Sequence, residues 1–265
     1  MAGQEFRGRA VVVTGGASGI GRAAARRFAQ EGAGVCVADL DADGAGRVAE
    51  EIMAAGGRAI AQSLDVAVEA DNERAFQAAA DAFGGLDVAF LNAGILGAAY
   101  DPLEEDISTF DRIIAVNLRG CLLGARAAAR RLRSNGAIVV TASTSAFRGY
   151  PGNVGYAASK HGVLGLVRSL AEPLSSRGLR INAICPGPVR TPMIGLKSEL
   201  DDLAAEEMDT VAHNSRGDPR HIAELALFLA SRRAAFINGA VHVADAGLTS
   251  GYGAPGRAQP GAAGQ

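Results

Sequence analysis

Tyr156 and Lys160 stand four residues apart at the start of a stretch with helical periodicity that runs to Leu174. Four residues along a helix bring two side chains onto one face. An ammonium held beside a phenol favours the phenolate, drawing a pKa that is otherwise about 10 toward the range in which tyrosine exchanges protons near neutrality. The choice of lysine is informative, because of 26 basic residues only Lys160 and Lys197 are lysine and all the others are arginine. A compact ammonium with rotatable donors can serve a ribose and a phenol at once; a planar guanidinium has a different shape and donor geometry. Thirteen residues before Tyr156, Ser143 follows the apolar run Ala137–Thr141. A hydroxyl there can donate to an oxygen on which charge develops. Thr144 and Ser145 offer the same group, and spacing alone does not choose among the three.

A second set of residues could hold a nucleotide. The run Thr14-Gly15-Gly16-Ala17-Ser18-Gly19-Ile20-Gly21 follows the apolar segment Ala10–Val13 and opens the helical pattern Arg22–Glu31. Glycines permit positive φ and close backbone approach, and a helix N-terminus offers free N–H groups and a positive dipole end to a pyrophosphate. The spacing Gly15, Gly19, Gly21 is not G-x-G-x-x-G. The next apolar run, Val35–Ala38, ends at Asp39, where a carboxylate can accept from the hydroxyls of an adenosine ribose. The same charge repels a 2′-phosphate, and neither Ser18 nor Leu40 supplies a cation to receive one, so the expected cofactor is NAD and not NADP.

Groups so far apart in sequence need a scaffold that gathers them. Short β-rich runs at Ala10–Val13, Val35–Ala38, Ala59–Ser63, Val88–Leu91, Ala137–Thr141, Arg180–Ile184 and Ala240–Val243 alternate with amphipathic stretches rich in Ala, Leu and Arg. Near-continuous apolar strands joined by helical crossovers predict an α/β fold. The expected form is a doubly wound, mainly parallel seven-stranded sheet with helices on both faces, a Rossmann-like three-layer sandwich that binds ligands outside the carboxyl ends of its strands. With 265 residues, 48% hydrophobic content, no fixed-period repeat and no linker, residues 1–250 read as one dinucleotide-binding and catalytic domain. Residues 251–265 are mostly Gly, Ala, Pro and Gln, a composition that predicts a mobile C-terminal tail.

Charge and composition exclude other classes. A net charge of -2 and a pI of about 6.1, without a basic block, point away from nucleic acid and anionic membranes and toward a small-molecule partner. Arg126, Arg130, Arg131 and Arg133 read as a solvated helix face or a subunit contact. The first apolar run is too short for a signal sequence or a membrane span, so the expected location is cytoplasmic. Cys36, Cys121 and Cys185 are odd in number, far apart and without C-x-x-C spacing, as expected of small core residues. His161, His213, His221 and His242 show no ligand spacing, and no metal is expected.

Several separated motifs, in order, resemble the short-chain dehydrogenase/reductase family over residues 7–250. Thr14–Gly21 is similar to the family's glycine motif, Asp65-Val66 to the pair that flanks the adenine, and Asn92-Ala93-Gly94 to its strand-four motif. Asn117 resembles its helix asparagine, Ser143 its serine, and Tyr156 with Lys160 its Tyr-x-x-x-Lys pair. Pro186-Gly187-Pro188-Val189-Arg190-Thr191 is similar to the segment beside the nicotinamide, with Thr191 near its carboxamide. The resemblance implies that Tyr156 is the general acid or base, that Lys160 binds the nicotinamide ribose and tunes Tyr156, and that Ser143 orients the substrate. It further implies that Asn117 holds a water relaying protons from Lys160 to solvent. The implied cofactor-binding set is Gly15, Ser18, Gly19, Ile20, Gly21, Asp39, Leu40, Asp65, Val66, Asn92, Ala93, Gly94, Tyr156, Lys160, Pro186, Gly187, Val189 and Thr191.

The chain also departs from the family pattern. Leu91 stands where a second Asn is usual, and Ala244-Asp245-Ala246-Gly247 replaces Val-Asp-Gly-Gly. Pro173, inside the predicted helix, should kink it or end it early. Members of the family usually pair through this helix, which implies a homo-oligomer, a dimer or a homotetramer, whose geometry Pro173 would affect. Val189, Met193, Ile194 and Leu196, with Phe147, Tyr150 and Ile95, suggest a pocket for a fairly apolar or cyclic secondary alcohol or ketone, and a polar sugar or carboxylate fits less well; Arg148 is a candidate clamp. The segment Val189–Ser215 is expected to cover this pocket. The expected function is NAD-dependent hydride transfer to or from such a substrate. The alternatives are an NADPH-dependent 3-oxoacyl reductase and a catalytically silent dinucleotide-binding sensor.

Overall fold

The computed structural model describes residues 4–97, 101, 103–104, 106–150, 152–195 and 216–250. Seven strands form one sheet: β1 (Ala10–Thr14), β2 (Gly34–Asp39), β3 (Arg58–Ser63), β4 (Leu86–Leu91), β5 (Leu132–Thr141), β6 (Arg180–Pro186) and β7 (Val241–Ala244). Their order is β3-β2-β1-β4-β5-β6-β7, and every adjacent pair is parallel. All seven expected strands are present, the observed ones extending or shifting by a few residues at their ends. The strand order reverses direction between β1 and β4, which opens a crevice at their carboxyl ends.

Helices cover both faces. Period-two alternation sends Ala10, Val12, Cys36 and Ala38 to one core and Val11, Val13, Val35 and Val37 to the other. The first core is closed by α3 (Glu69–Phe83), α5 (Gly120–Ala129) and α6 (Val154–Ser175), through residues such as Phe76, Ala125 and Val163. The second is closed by α1 (Gly19–Gln30), α2 (Ala42–Ala54) and α7 (Pro219–Ala230), through Phe28, Ile52 and Ile222 among others. Helix α4 (Ile107–Ile114) continues through a π-helical turn, Ala115–Arg119, into α5. Such turns concentrate at functional sites, and this one carries Asn117.

The cysteines lie as expected: all three are free and buried, and burial pushes Cys36 and Cys121 up to about 12 and Cys185 to about 11. The basic stretch from the last turn of α5 to the start of β5 meets acids of α3 and β4, in the pairs Arg126–Glu69 at 3.4 Å, Arg131–Glu73 at 2.7 Å and Arg133–Asp87 at 3.0 Å, with Arg130 also on Glu73. His161 Nδ1 lies 2.9 Å from the Ala157 carbonyl, and His221 closes a capping box with Asp218. Among the described residues no helix is long and apolar enough to cross a membrane, and no cluster of His, Cys, Asp and Glu could hold a metal ion. Leu196, Lys197, His213, the remainder of the covering segment to Ser215 and the tail 251–265 lie outside the described residues.

The expected early stop at Pro173 does not occur. Helix α6 runs to Ser175, and because the proline sits in the last turn its missing N–H removes a bond only there. The chain then closes through Ser176 N donating to Glu172 O (3.1 Å) and Leu179 N to Leu174 O (3.0 Å), with Gly178 at φ 71°. This is the left-handed ending that glycine permits after a helix.

Candidate active site

The carboxyl ends of β1, β2, β4, β5 and β6 border a cleft of about 700 Å³. At one end lies the glycine turn. Gly15 and Gly19 adopt φ of 66° and 51°, and a Cβ at Gly15 would lie 2.8 Å from Ala93 Cα. A Cβ at Gly21 would lie 1.9 Å from the Gly15 carbonyl oxygen, so only glycine lets helix α1 start this close beneath the turn. Ser18, the N-cap of α1, forms no side-chain cap, which leaves the N–H groups of that helix end to another acceptor. A turn that any side chain would fill, ahead of an uncapped helix start, fits the pyrophosphate of a dinucleotide.

The neighbouring residues continue the fit. Asp39 ends β2 with Oδ2 accepting from Ala17 N at 3.0 Å and Oδ1 from Asp41 N at 3.0 Å, which fixes the carboxylate beside the turn. Leu40, Leu64, Asp65 and Val66 line the same end of the cleft. Asn72, on α3, donates to the Val66 carbonyl at 2.9 Å and holds this segment in place. Gly187 packs against Asp245, and the chain leaving β6 then brings Thr191 against Gly19, where a Cβ would lie 3.0 Å from Thr191 Cγ2.

Asn92 reaches across the sheet. Its Nδ2 donates to the Thr14 and Gly15 carbonyls, both at 3.3 Å, and its Oδ1 accepts from Thr141 Oγ1 at 3.1 Å. Thr14 Oγ1 in turn accepts from the amides of Asn92 (3.0 Å) and Ala93 (3.2 Å). The ends of β1, β4 and β5 are thereby riveted together. Sequence reasoning missed Thr14 and Thr141 in this role, although both end apolar strands that feed the motifs.

The proton-transfer candidates converge on the other part of the cleft. Ser143 follows β5, is buried and lines the cleft with Tyr156, whose phenol pKa it acts to lower. Ser143 Oγ also accepts from Ser145 N at 3.1 Å. Thr144 and Ser145 line the cleft as well, but of the three hydroxyl candidates only Ser143 acts on the Tyr156 phenol. Tyr156 lies in the first turn of α6, and the Tyr150 ring meets it edge-on with centroids 6.2 Å apart. Lys160, 3% exposed, donates from Nζ to the Thr141 carbonyl at 2.9 Å and lies 5.6 Å from the Tyr156 ring centroid.

The expected depression of the Tyr156 pKa by Lys160 is absent from the protein alone. Burial raises the Tyr156 phenol above its ordinary value, opposed by the hydrogen bond from Ser143, while Tyr150 and Cys185 add to the rise. Burial also draws Lys160 down to about 8. Desolvation outweighs attraction because, among the described residues, no carboxylate stands beside the ammonium to restore its charge.

Asn117 and Gly21 are the two expected site residues that do not line the cleft. Asn117 Oδ1 accepts from Ile95 N at 2.8 Å, and its Nδ2 donates to Ile95 O (3.0 Å) and Ser159 Oγ (3.1 Å). The side chain is thus spent on the loop after β4 and on α6. It still lies close to the ammonium, since a Cβ at Gly94 would be 3.3 Å from Asn117 Oδ1 and 3.5 Å from Lys160 Nζ.

The wall expected to face the substrate includes Ile95, Leu96, Tyr150, Val189, Met193 and Ile194, all of which line the cleft. Phe147, expected there, points away: it is 48% exposed and outside the lining. Arg148 does line the cleft, as does Arg112, which the sequence did not single out. Leu91 borders a separate void of about 10 Å³ with Asn72, whose Oδ1 has no partner, and Ala246 takes φ 53° where the family pattern has glycine.

Comparison with known proteins places this geometry. A family model described as enoyl-(acyl carrier protein) reductase matches residues 15–249. The chain is 35% identical to cyclohexanol dehydrogenase of Acinetobacter sp. (strain SE19), over 93% of this chain and 97% of that one. It is 37% identical to levodione reductase of Leifsonia aquatica, over 93% and 96% of the two chains. It also superposes on a short chain dehydrogenase from Burkholderia cenocepacia J2315 solved in complex with NADP, with TM-score 0.81 and 34% identity, covering 91% of this chain and 98% of that one.

Proposed function

Because the chain belongs to the short-chain dehydrogenase/reductase family, we propose that it is an NAD-dependent oxidoreductase acting on a secondary alcohol or its ketone, with a fairly apolar, cyclic substrate. The observation that carries this reading is the convergence of Ser143, Tyr156 and Lys160 on the same cleft that holds the glycine turn and Asp39. A nucleotide-binding sensor would need only the second half of that cleft. The relatives named for cyclohexanol and levodione support a cyclic alcohol or ketone, as does the apolar wall of Ile95, Leu96, Val189, Met193 and Ile194.

The residues divide the work as follows. Gly15, Ser18, Gly19 and Ile20 receive the pyrophosphate, with Gly21 letting the helix start beneath their turn, Asp39 and Leu40 receive the adenosine ribose, and Asp65 and Val66 the adenine. Asn92, Ala93, Gly94, Pro186, Gly187, Val189 and Thr191 bound the nicotinamide half. When bound, the nicotinamide supplies or accepts the hydride. Tyr156 gives or takes the proton on the substrate oxygen, and Ser143 donates to that oxygen as charge develops on it. Lys160 holds the ribose and, with its ammonium near the phenol, offsets the cost of phenolate formation. Asn117, beside the ammonium, stands where a water relaying protons from Lys160 would be held.

Preference for NAD rests on Asp39, whose charge repels a 2′-phosphate, and on the absence of a cation from the adjoining sequence Leu40-Asp41-Ala42-Asp43. The proposal extends to a cytoplasmic homo-oligomer, dimeric or tetrameric, with residues 1–250 acting as one domain. A panel of cyclic and acyclic secondary alcohols, ketones and 3-oxoacyl thioesters, followed by absorbance of the reduced nicotinamide with NAD and NADP, tests it. Turnover of cyclic alcohols with NAD is expected. Turnover confined to 3-oxoacyl thioesters with NADPH would overturn it.

A further inference from the structure

Asn153 precedes α6 and is 1% exposed. Its Oδ1 accepts from Tyr156 N at 2.9 Å, the bond expected of an N-cap. A cap needs only that oxygen, and serine or aspartate would serve as well. The amide nitrogen does something further: Nδ2 donates to the Gly97 carbonyl at 2.5 Å, on the loop that follows β4. Asparagine is the short side chain that offers an acceptor to the helix and a donor to the loop at once. The partner is matched to it, since a Cβ at Gly97 would lie 2.9 Å from Asn153 Nδ2 and 2.7 Å from Ile113 Cδ1.

Gly97 ends a segment whose preceding residues, Ile95 and Leu96, line the cleft. Asn117 ties Ile95 to Ser159 of α6, and Asn153 ties Gly97 to the turn that carries Tyr156. The apolar wall is therefore fixed at both of its ends relative to α6, and at one end through the backbone of Tyr156 itself. We infer that Asn153 is a positioning residue that sets the distance between the substrate-binding wall of Ile95 and Leu96 and the Tyr156 hydroxyl. This rests on the proposed alcohol–ketone reading of the cleft.

The test uses Asn153→Asp, which keeps the helix cap and replaces the donor to Gly97 by a second oxygen, and Gly97→Ala, which crowds the same contact from the other side. Both are assayed with NAD on the best large cyclic alcohol and on a small acyclic one. Misplacement of about 1 Å at a reacting centre costs up to about a hundredfold in rate, so kcat/KM for the cyclic alcohol should fall by about tenfold to a hundredfold in each variant. The acyclic alcohol, which makes little use of the wall, should change less, and NADH affinity should stay within about twofold of the original. A merely structural cap predicts equal losses on both alcohols, or none.

Either of those patterns in the two variants would overturn the inference, and if Asn153→Asp does not fold, Gly97→Ala decides alone. A native protein that oxidises no secondary alcohol would overturn the functional reading and this inference with it. A native protein that does, beside unchanged variants, would overturn the inference alone.

Discussion

Replacing Lys160 by methionine should stabilise the cofactor-free protein, in a manner that depends on pH. The ammonium is 3% exposed, its hydrogen bond goes to the Thr141 carbonyl, and burial draws its pKa from 10.5 to about 8. At about 1.4 kcal/mol per pH unit, keeping this charge buried costs on the order of 3 kcal/mol. The native pKa lies below the unfolded one, so the cost is fully present below about pH 8, where both states are protonated. It disappears as pH rises from there toward 10.5, because the folded state sheds its proton first and stability climbs. Methionine fills a similar volume without charge but leaves the Thr141 carbonyl short of a donor, which returns about 1 kcal/mol. The expected net gain at neutral pH is therefore about 2 kcal/mol, in a protein whose turnover is lost. Urea denaturation of both proteins across this pH range measures it. A Lys160→Met protein that is less stable than the original at neutral pH, or a difference that does not shrink on raising the pH, would refute the reasoning.

Three further outcomes follow from the geometry. Asp39→Ala combined with Leu40→Arg should move cofactor preference from NAD toward NADP, read as the ratio of kcat/KM for the two; an original protein that uses NADP as well as NAD would remove Asp39 from that role. Gly21→Ala places a Cβ 1.9 Å from the Gly15 carbonyl, so it should cost roughly 1–3 kcal/mol and weaken NADH binding in a fluorescence titration. Ala246→Gly relieves a left-handed residue at φ 53° and should add up to about 1 kcal/mol to stability, read from the urea midpoint, without altering turnover.

The strands and their faces were legible because apolar runs of β-branched residues have one stable use in a chain of this length, burial between two helix layers. The glycine turn was legible for a similar reason: Gly15, Gly19 and Gly21 occupy positions where a side chain would collide, and such positions leave a mark in composition. The early end expected at Pro173 was misjudged because helix-breaking depends on where in the helix a proline falls, and the last turn tolerates it. The electrostatics of Tyr156 and Lys160 were not legible from spacing. Four residues put the two side chains on one face, but burial, which no motif displays, decides the proton affinities. Phe147 was misjudged because a loop residue's direction is set by its turn and not by its polarity, and Arg112 carried no signal because no motif marks which face of α4 meets the cleft. Asn153 carried a readable signal, standing at the capping position three residues before Tyr156, yet its second hydrogen bond to Gly97 is visible only once the loop is folded against it.

The most direct test of the central claim compares the original protein with Tyr156→Phe, measuring NADH binding by fluorescence and oxidation of the best cyclic alcohol by absorbance of the reduced nicotinamide. The substitution removes the hydroxyl whose pKa Ser143 acts to lower and keeps the ring that packs against Tyr150. NADH affinity should stay within about twofold, while turnover falls by about a hundred- to ten-thousandfold, the range of general acid–base help. A Tyr156→Phe protein that binds cofactor and still turns over within a few-fold of the original would contradict the assignment of proton transfer to Tyr156.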